Sequence, residues 1–215
     1  MAVNMVRTSV LLPLVLAKAH DCPAMLAEQA LRLAAIELSE ISRAWRYVTT
    51  LEVADNTAQL VAPAHTAIHE IEFAEFNGQP LKPVQFSTID NEREGKPKFI
   101  SQSSPGEVIL SPFQPGTLRV SVFLKPLATV AYGEDASDPL FDANNIIPDF
   151  YASLHGSLLA KGALGEVLAT PDSPWTNKRE AARYRGEFQL ALQSQFRANM
   201  RGQQRAPIRT KFRDM

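Results

Sequence analysis

The chain has 215 residues, 45% hydrophobic and 21% charged, ordinary proportions for a protein that buries a substantial core. Its single cysteine, Cys22, excludes an internal disulfide framework and any cysteine-cluster metal site, and no run reaches the roughly 20 apolar residues of a bilayer-spanning helix. The net charge of −1 hides a split: residues 175–215 carry ten Lys and Arg against three Asp and Glu, a net of +7, while residues 1–174 sum to −8, as suits a subunit that docks one charged end onto something else.

At the N-terminus, Arg7 precedes the apolar run Val10-Leu11-Leu12-Pro13-Leu14-Val15-Leu16, and Ala17-Lys18-Ala19 mimics a signal-peptidase site. A secretory leader is one reading. The proline inside the run, and Lys18 where small neutral residues are usual, favour a short buried segment packed on the helix that follows. That helix spans residues 23–45, with Asp21 or Cys22 at its cap and Pro23 in its first turn, where a missing N–H does no harm. Leu31, Ala34, Leu38, Ile41 and Trp45 recur at spacings of three and four as one apolar stripe; Glu28, Arg32, Glu37, Glu40 and Arg43 supply polar positions around it.

From Tyr47 to about Ala131 the period becomes two. Val48-Thr49-Thr50-Leu51-Glu52-Val53 is short and β-branched, and residues 68–76 alternate up to Asn77-Gly78, a strong hairpin signal. A second hairpin is expected from Val108-Ile109-Leu110 and residues 117–124, which flank a turn at residues 111–116. Residues 90–96 between the hairpins read as an exposed polar loop.

Helical character returns at Ile147-Pro148. Phe150, Leu154, Leu158, Leu159, Leu164, Val167 and Leu168 trace an apolar stripe interrupted by Gly156, Gly162 and Gly165, which signal close approach of another backbone or a local break. A last helix starts near Thr176 or Asn177 and runs past Phe196, burying Ala181, Tyr184, Phe188, Leu192 and Phe196. The expected fold class is α+β: an antiparallel helix bundle of about three long helices, with an inserted small antiparallel β unit and an extended basic C-terminal tail. Residues 1–46 and 147–201 form the helical domain, 47–146 the β-rich insertion and 202–215 the tail.

The residues that carry chemistry form no catalytic constellation. His65 and His69 are four apart, but on an alternating segment that gap is too long for chelation, and no glutamate stands between them as a zinc peptidase requires. Ser153 and His155 near Asp149 lack the Gly-x-Ser-x-Gly elbow that projects a nucleophile. Lys161-Gly162-Ala163-Leu164-Gly165 is not a phosphate-binding loop. Glu134, Asp135, Asp138 and Asp142 read as a solvated acidic loop, and Cys22 as a capping or buried residue. The expectation is a non-enzymatic protein with no cofactor and no metal.

In the tail, Arg201, Arg205, Arg209, Lys211 and Arg213 suit phosphates of a nucleic acid, or acidic grooves on a protein. Ile208 and Phe212, alternating with the basic residues, favour the protein groove, since phosphate binding has no use for them. A frayed, solvated terminus is the plainest alternative.

A series of short motifs in fixed order resembles the head-to-tail adaptor (connector) proteins of tailed phages, in particular the tail-tubular-like adaptors of short-tailed phages. The motifs are Cys22-Pro23 opening an alanine-rich helix, Ala34-Ala35-Ile36-Glu37-Leu38 and Ser42-Arg43-Ala44-Trp45-Arg46, then the strand at residues 118–126. Ile147-Pro148-Asp149-Phe150 leads into Lys161-Gly162-Ala163-Leu164-Gly165. Pro171-Asp172-Ser173-Pro174-Trp175, Ala181-Ala182-Arg183-Tyr184 with Phe188, and Ile208-Arg209-Thr210-Lys211-Phe212 close the series. Residues 79–104 have no counterpart in it, and Glu37-Leu38 departs from the Phe-Cys type of pair that such proteins often carry.

The resemblance implies a homo-oligomeric ring of twelve copies beneath the portal protein, assembled in the host cytoplasm and resident at the head-tail interface of the virion. The ring would extend the DNA channel, let packaged DNA pass without sequence-specific binding, offer a platform to the tail or nozzle protein, and involve no membrane. Portal binding falls to the tail residues Arg201, Arg205, Ile208, Arg209, Lys211, Phe212 and Arg213. The rival readings are a nucleic-acid-binding protein that uses the basic tail, and a secreted binding or adhesion module.

Overall fold

The computed structural model describes residues 4–90, 92–127 and 146–200. Strand β1 (Met5–Arg7), a 3-10 turn at Thr8–Leu11 and the short helix α1 (Leu12–Leu16) carry the apolar N-terminal run into the core, where Leu11, Val15 and Ala19 are buried. Helix α2 (Ala24–Ser42) begins after Pro23 and ends at Arg43, whose φ of 52° turns the backbone left-handed at a site where glycine is commoner. Its apolar stripe is buried through Leu31, Ala34 and Leu38, with Trp45 just beyond. Arg32 departs from its expected solvent position: it is 3% exposed, and its Nε donates to the Leu127 carbonyl at 2.6 Å.

The strands that follow are β2 (Arg46–Val53), β3 (Gln59–Leu60), β4 (Thr66–Phe76), β5 (Gln79–Pro80), β6 (Lys82–Pro83), β7 (Phe99–Ser104), β8 (Glu107–Ser111), β9 (Gly116–Pro126) and β10 (Ile146–Pro148). They form a four-stranded sheet in the order β2-β9-β4-β5, a second in the order β3-β8-β7-β6, and the pair β1-β10. Asn77 and Gly78 make the expected tight turn, with φ values of 47° and 74°, the double positive conformation that a two-residue hairpin loop requires. The turn folds β5 onto the end of β4, Phe76 facing Gln79.

The expected bundle with a small β insertion is overturned. Among the described residues the protein is mixed α+β, with four α-helices and ten strands in three sheets. Two physical reasons account for the underestimate. Strand β7 is Phe-Ile-Ser-Gln-Ser-Ser, whose hydroxyl and amide side chains leave almost no alternation of polarity to read. Strands β1, β3, β6 and β10 have only two or three residues and exist through pairing with distant partners, and β5 is a two-residue return of the first hairpin. The second expected hairpin is also absent. Strand β8 pairs with β7 and β3, while β9 pairs with β2 and β4, so residues 112–115 cross between sheets.

Helices α3 (Asp149–Val167) and α4 (Lys178–Met200) complete the chain described. Their antiparallel packing brings Lys161 to Glu187 at 2.8 Å and His155 to Gln195 at 3.2 Å. No break occurs at the glycines. A Cβ at Gly165 would stand 3.2 Å from the backbone nitrogen of Arg185, so this position allows the two helices to touch. Leu154, placed in the apolar stripe by its spacing, is instead 73% exposed. Asn177 caps α4 by accepting from the Glu180 N–H at 3.2 Å. One continuous apolar core joins the helices to both larger sheets, with Leu38, Phe188, Val120 and Ile100 among its members.

Candidate functional site

The tail residues expected to bind a partner, Arg201, Arg205, Ile208, Arg209, Lys211, Phe212 and Arg213, lie outside the described residues, as do Glu134, Asp135, Asp138 and Asp142. What the structure does provide is the point from which the basic terminus departs, the C-terminal end of α4. That end is held by a stack of cations and aromatic rings. The guanidinium carbon of Arg43 lies 5.4 Å from the Phe196 ring centre on α4 and 5.7 Å from the Phe123 ring centre on β9. Arg46 adds a second guanidinium over Phe123 at 5.4 Å. Each such contact contributes about 0.5–1 kcal/mol where exposed.

Carboxylates on β4 complete the cluster. Arg43 pairs with Glu70 at 2.6 Å, and Arg46 grips Glu72 with two bonds of 2.7 and 2.6 Å. The left-handed backbone at Arg43 aims its side chain between the sheet and α4, so the helix stop and the anchor are one device. Sequence reading assigned Arg43 to a polar helix face and gave Phe123 no role. The Arg43-Ala44-Trp45-Arg46 spacing carries no sign of the stack, which requires residues about 80 and 150 positions away.

Beneath this cluster Trp45, Phe150, Tyr151 and His155 interlock edge to face, with ring centres 4.7–6.2 Å apart. Burial pulls the His155 pKa below its ordinary value. Its Nδ1 meets the Gln195 amide, and Ser153 is exposed, so no nucleophile–base pair is assembled here. The Cys22 thiol is buried, with its pKa pushed up by desolvation, and its Sγ lies 3.6 Å from the Pro23 carbonyl. These features are opposite to those of an activated thiolate. His65 precedes β4 and His69 lies at a bulge within it; among the described residues no group of His, Cys, Asp and Glu side chains is arranged to hold a metal ion.

No protein-family model matches the chain, and no curated protein matches it. An open groove of about 630 Å³ separates Ile36 of α2, the start of β4 and the β7–β8 turn. Lys125, the charged residue in its wall, is paired with Glu40 at 2.7 Å. The helical surface carries its own ion network, in which Arg183 bridges Glu180 and Glu187 at 2.6 and 2.7 Å. The Arg183 hydrogen bond holds the Glu180 carboxyl below its ordinary pKa, and Lys161, with Arg183 second, does the same for Glu187. Among the described residues no helix is long and apolar enough to cross a membrane. The Arg43 cluster fixes the C-terminal end of α4 against the sheet.

Proposed function

We propose that the protein is a structural part of a tailed-phage particle, a head-to-tail adaptor that forms a ring under the portal, extends the DNA channel and gives the tail its attachment platform. The observation that carries this reading is the anchored exit of the basic terminus. Phe196 is clamped by Arg43 only four residues before α4 ends at Met200, and five of the fifteen residues after it are Arg or Lys. A basic segment that follows a fixed helix end suits the stacking of one ring on another.

Other features agree with it. The acidic surplus of residues 1–174 suits a channel through which DNA slides without sticking. Met25, Leu33, Leu154 and Leu190 expose apolar side chains on three helices, available to neighbours in a ring. The ordered motifs that resemble such adaptors span both helical segments and the long strand β9.

The test is to mix the purified protein with the cognate portal ring and image the product by electron microscopy. A closed ring stacked coaxially on the portal is expected, and a chain lacking residues 202–215 is expected to fold yet fail to join it. Dispersed protein that ignores the portal overturns the adaptor reading. Normal attachment by the shortened chain removes the tail from that role.

A further inference from the structure

Among the described residues, strand β2 has an unpaired side. Among the described residues it pairs only with β9, and the other edge strands have two or three residues against its eight. Leu124 N–H donates to the Trp45 carbonyl at 2.9 Å, in register with the pair Arg46–Phe123. Antiparallel alternation then commits the backbone groups of Tyr47, Thr49, Leu51 and Val53 to β9. It turns the N–H and C=O of Arg46, Val48, Thr50 and Glu52 outward.

Natural sheets blunt such edges with lysine, proline, bulges or inward-pointing charges. β2 uses none of these. Its register with β9 is unbroken, its centre is Tyr-Val-Thr-Thr-Leu, and Val48 is 50% exposed. The only charges, Arg46 and Glu52, stand near its two ends and are opposite in sign.

These positions make the strand complementary to itself. Laid antiparallel against a second β2 about a twofold axis at Thr49, Arg46 faces Glu52, Tyr47 faces Leu51, Val48 faces Thr50 and Thr49 meets its own copy. The backbone parity agrees, because every outward-facing residue falls opposite another outward-facing residue. A slip of one residue would set outward groups against groups already committed to β9, and a slip of two separates Arg46 from Glu52. We propose that β2 docks on the β2 of a second copy of this chain, joining the two β2-β9-β4-β5 sheets edge to edge. Both charged side chains already hold a partner in their own sheet, Arg46 the Glu72 carboxylate and Glu52 the Thr117 hydroxyl, from which it accepts at 2.8 Å, so the second copy adds an opposite charge to each. This contact is isologous, unlike the heterologous contacts of a ring, and stands independently of the adaptor reading.

The test uses the full chain. The wild type is expected to sediment as a dimer that dissociates on dilution. Val48→Pro deletes an outward N–H and no bond to β9; it is expected to keep the wild-type circular dichroism and to sediment as a monomer. Glu52→Arg alone and Arg46→Glu alone are each expected to weaken the dimer by about tenfold or more, through like charges face to face. An equimolar mixture of the two restores it, since both contacts between the copies are again between opposite charges. Thr49→Cys, on the axis, is expected to form an intermolecular disulfide under mild oxidation, Cys22 being buried. A monomeric wild type, a Thr49→Cys protein that does not cross-link, or a charge-variant mixture that stays monomeric overturns the proposal. So does an oligomer that Val48→Pro leaves intact, an outcome that leaves the adaptor reading untouched.

Discussion

Tyr151 Oη and Ser39 Oγ lie 2.7 Å apart in the interior, a hydrogen bond that ties α3 to α2. Ser39 also donates to the Ala35 carbonyl at 2.8 Å, so the tyrosine is the donor between the two hydroxyls. The two ends of this bond are unequal. Tyr151→Phe leaves the serine proton satisfied and is expected to cost about 1 kcal/mol. Ser39→Ala strands a buried phenol and is expected to cost about 1–3 kcal/mol, the larger loss, in urea denaturation.

The same tyrosine shapes the alkaline limb of stability. Burial holds its pKa well above a tyrosine's ordinary value, so the fold keeps the neutral form. Its contribution is complete below about pH 10 and is lost as pH rises from there toward the folded-state value. Denaturation midpoints measured from pH 8 to 11 are expected to fall more steeply for the wild type than for Tyr151→Phe. Parallel curves would contradict this.

His155 acts on the acid side. Burial lowers its pKa, so its stabilising contribution is complete above about pH 6.5 and is lost as pH drops below that. Across pH 7 to 5, thermal melts of the wild type are expected to lose more stability than those of His155→Asn.

Two helical glycines are expected to respond in opposite directions to alanine. At Gly162 a Cβ would stand 2.8 Å from the Ala34 Cβ and 3.0 Å from the Phe188 ring, so Gly162→Ala is expected to destabilise by about 1–3 kcal/mol. Gly186, in the middle of α4, has nothing within 4 Å of that position. Gly186→Ala is expected to stabilise by up to about 1 kcal/mol. Calorimetric midpoints of the two variants check both signs.

At Arg43 the backbone and the side chain make separate contributions. Arg43→Gly and Arg43→Ala both remove the stack on Phe123 and Phe196 and the ion pair to Glu70. Only glycine adopts the left-handed φ freely, so Arg43→Gly is expected to be about 1 kcal/mol the more stable of the two. Hydrogen exchange in the last turns of α4 is expected to accelerate in both, because the anchor is gone from each.

Helices α2 and α4 were legible because a stripe at spacings of three and four is a local signal, and Leu31, Leu38, Phe188 and Leu192 are buried where it places them. The Asn77-Gly78 turn was legible for the same reason, its positive φ values being a property of those two residues. Arg32 and Leu154 were misplaced by that logic. One sits on a helix face covered by the segment at Leu127, the other on a face left open, and no spacing within the helix reports what covers it.

By itself, then, the sequence determined the long helices, the first hairpin and the separation of charge along the chain, all encoded in neighbours a few residues apart. Tertiary structure alone decided that β8 and β9 part into different sheets, that Arg43 of the α2 stop clamps Phe196 of α4, and that β2 pairs on one side only among the described residues. Those outcomes depend on closing loops of tens of residues around one shared core. The choice among distant partners is made by packing and backbone hydrogen bonding across the whole chain, which local periodicity does not record.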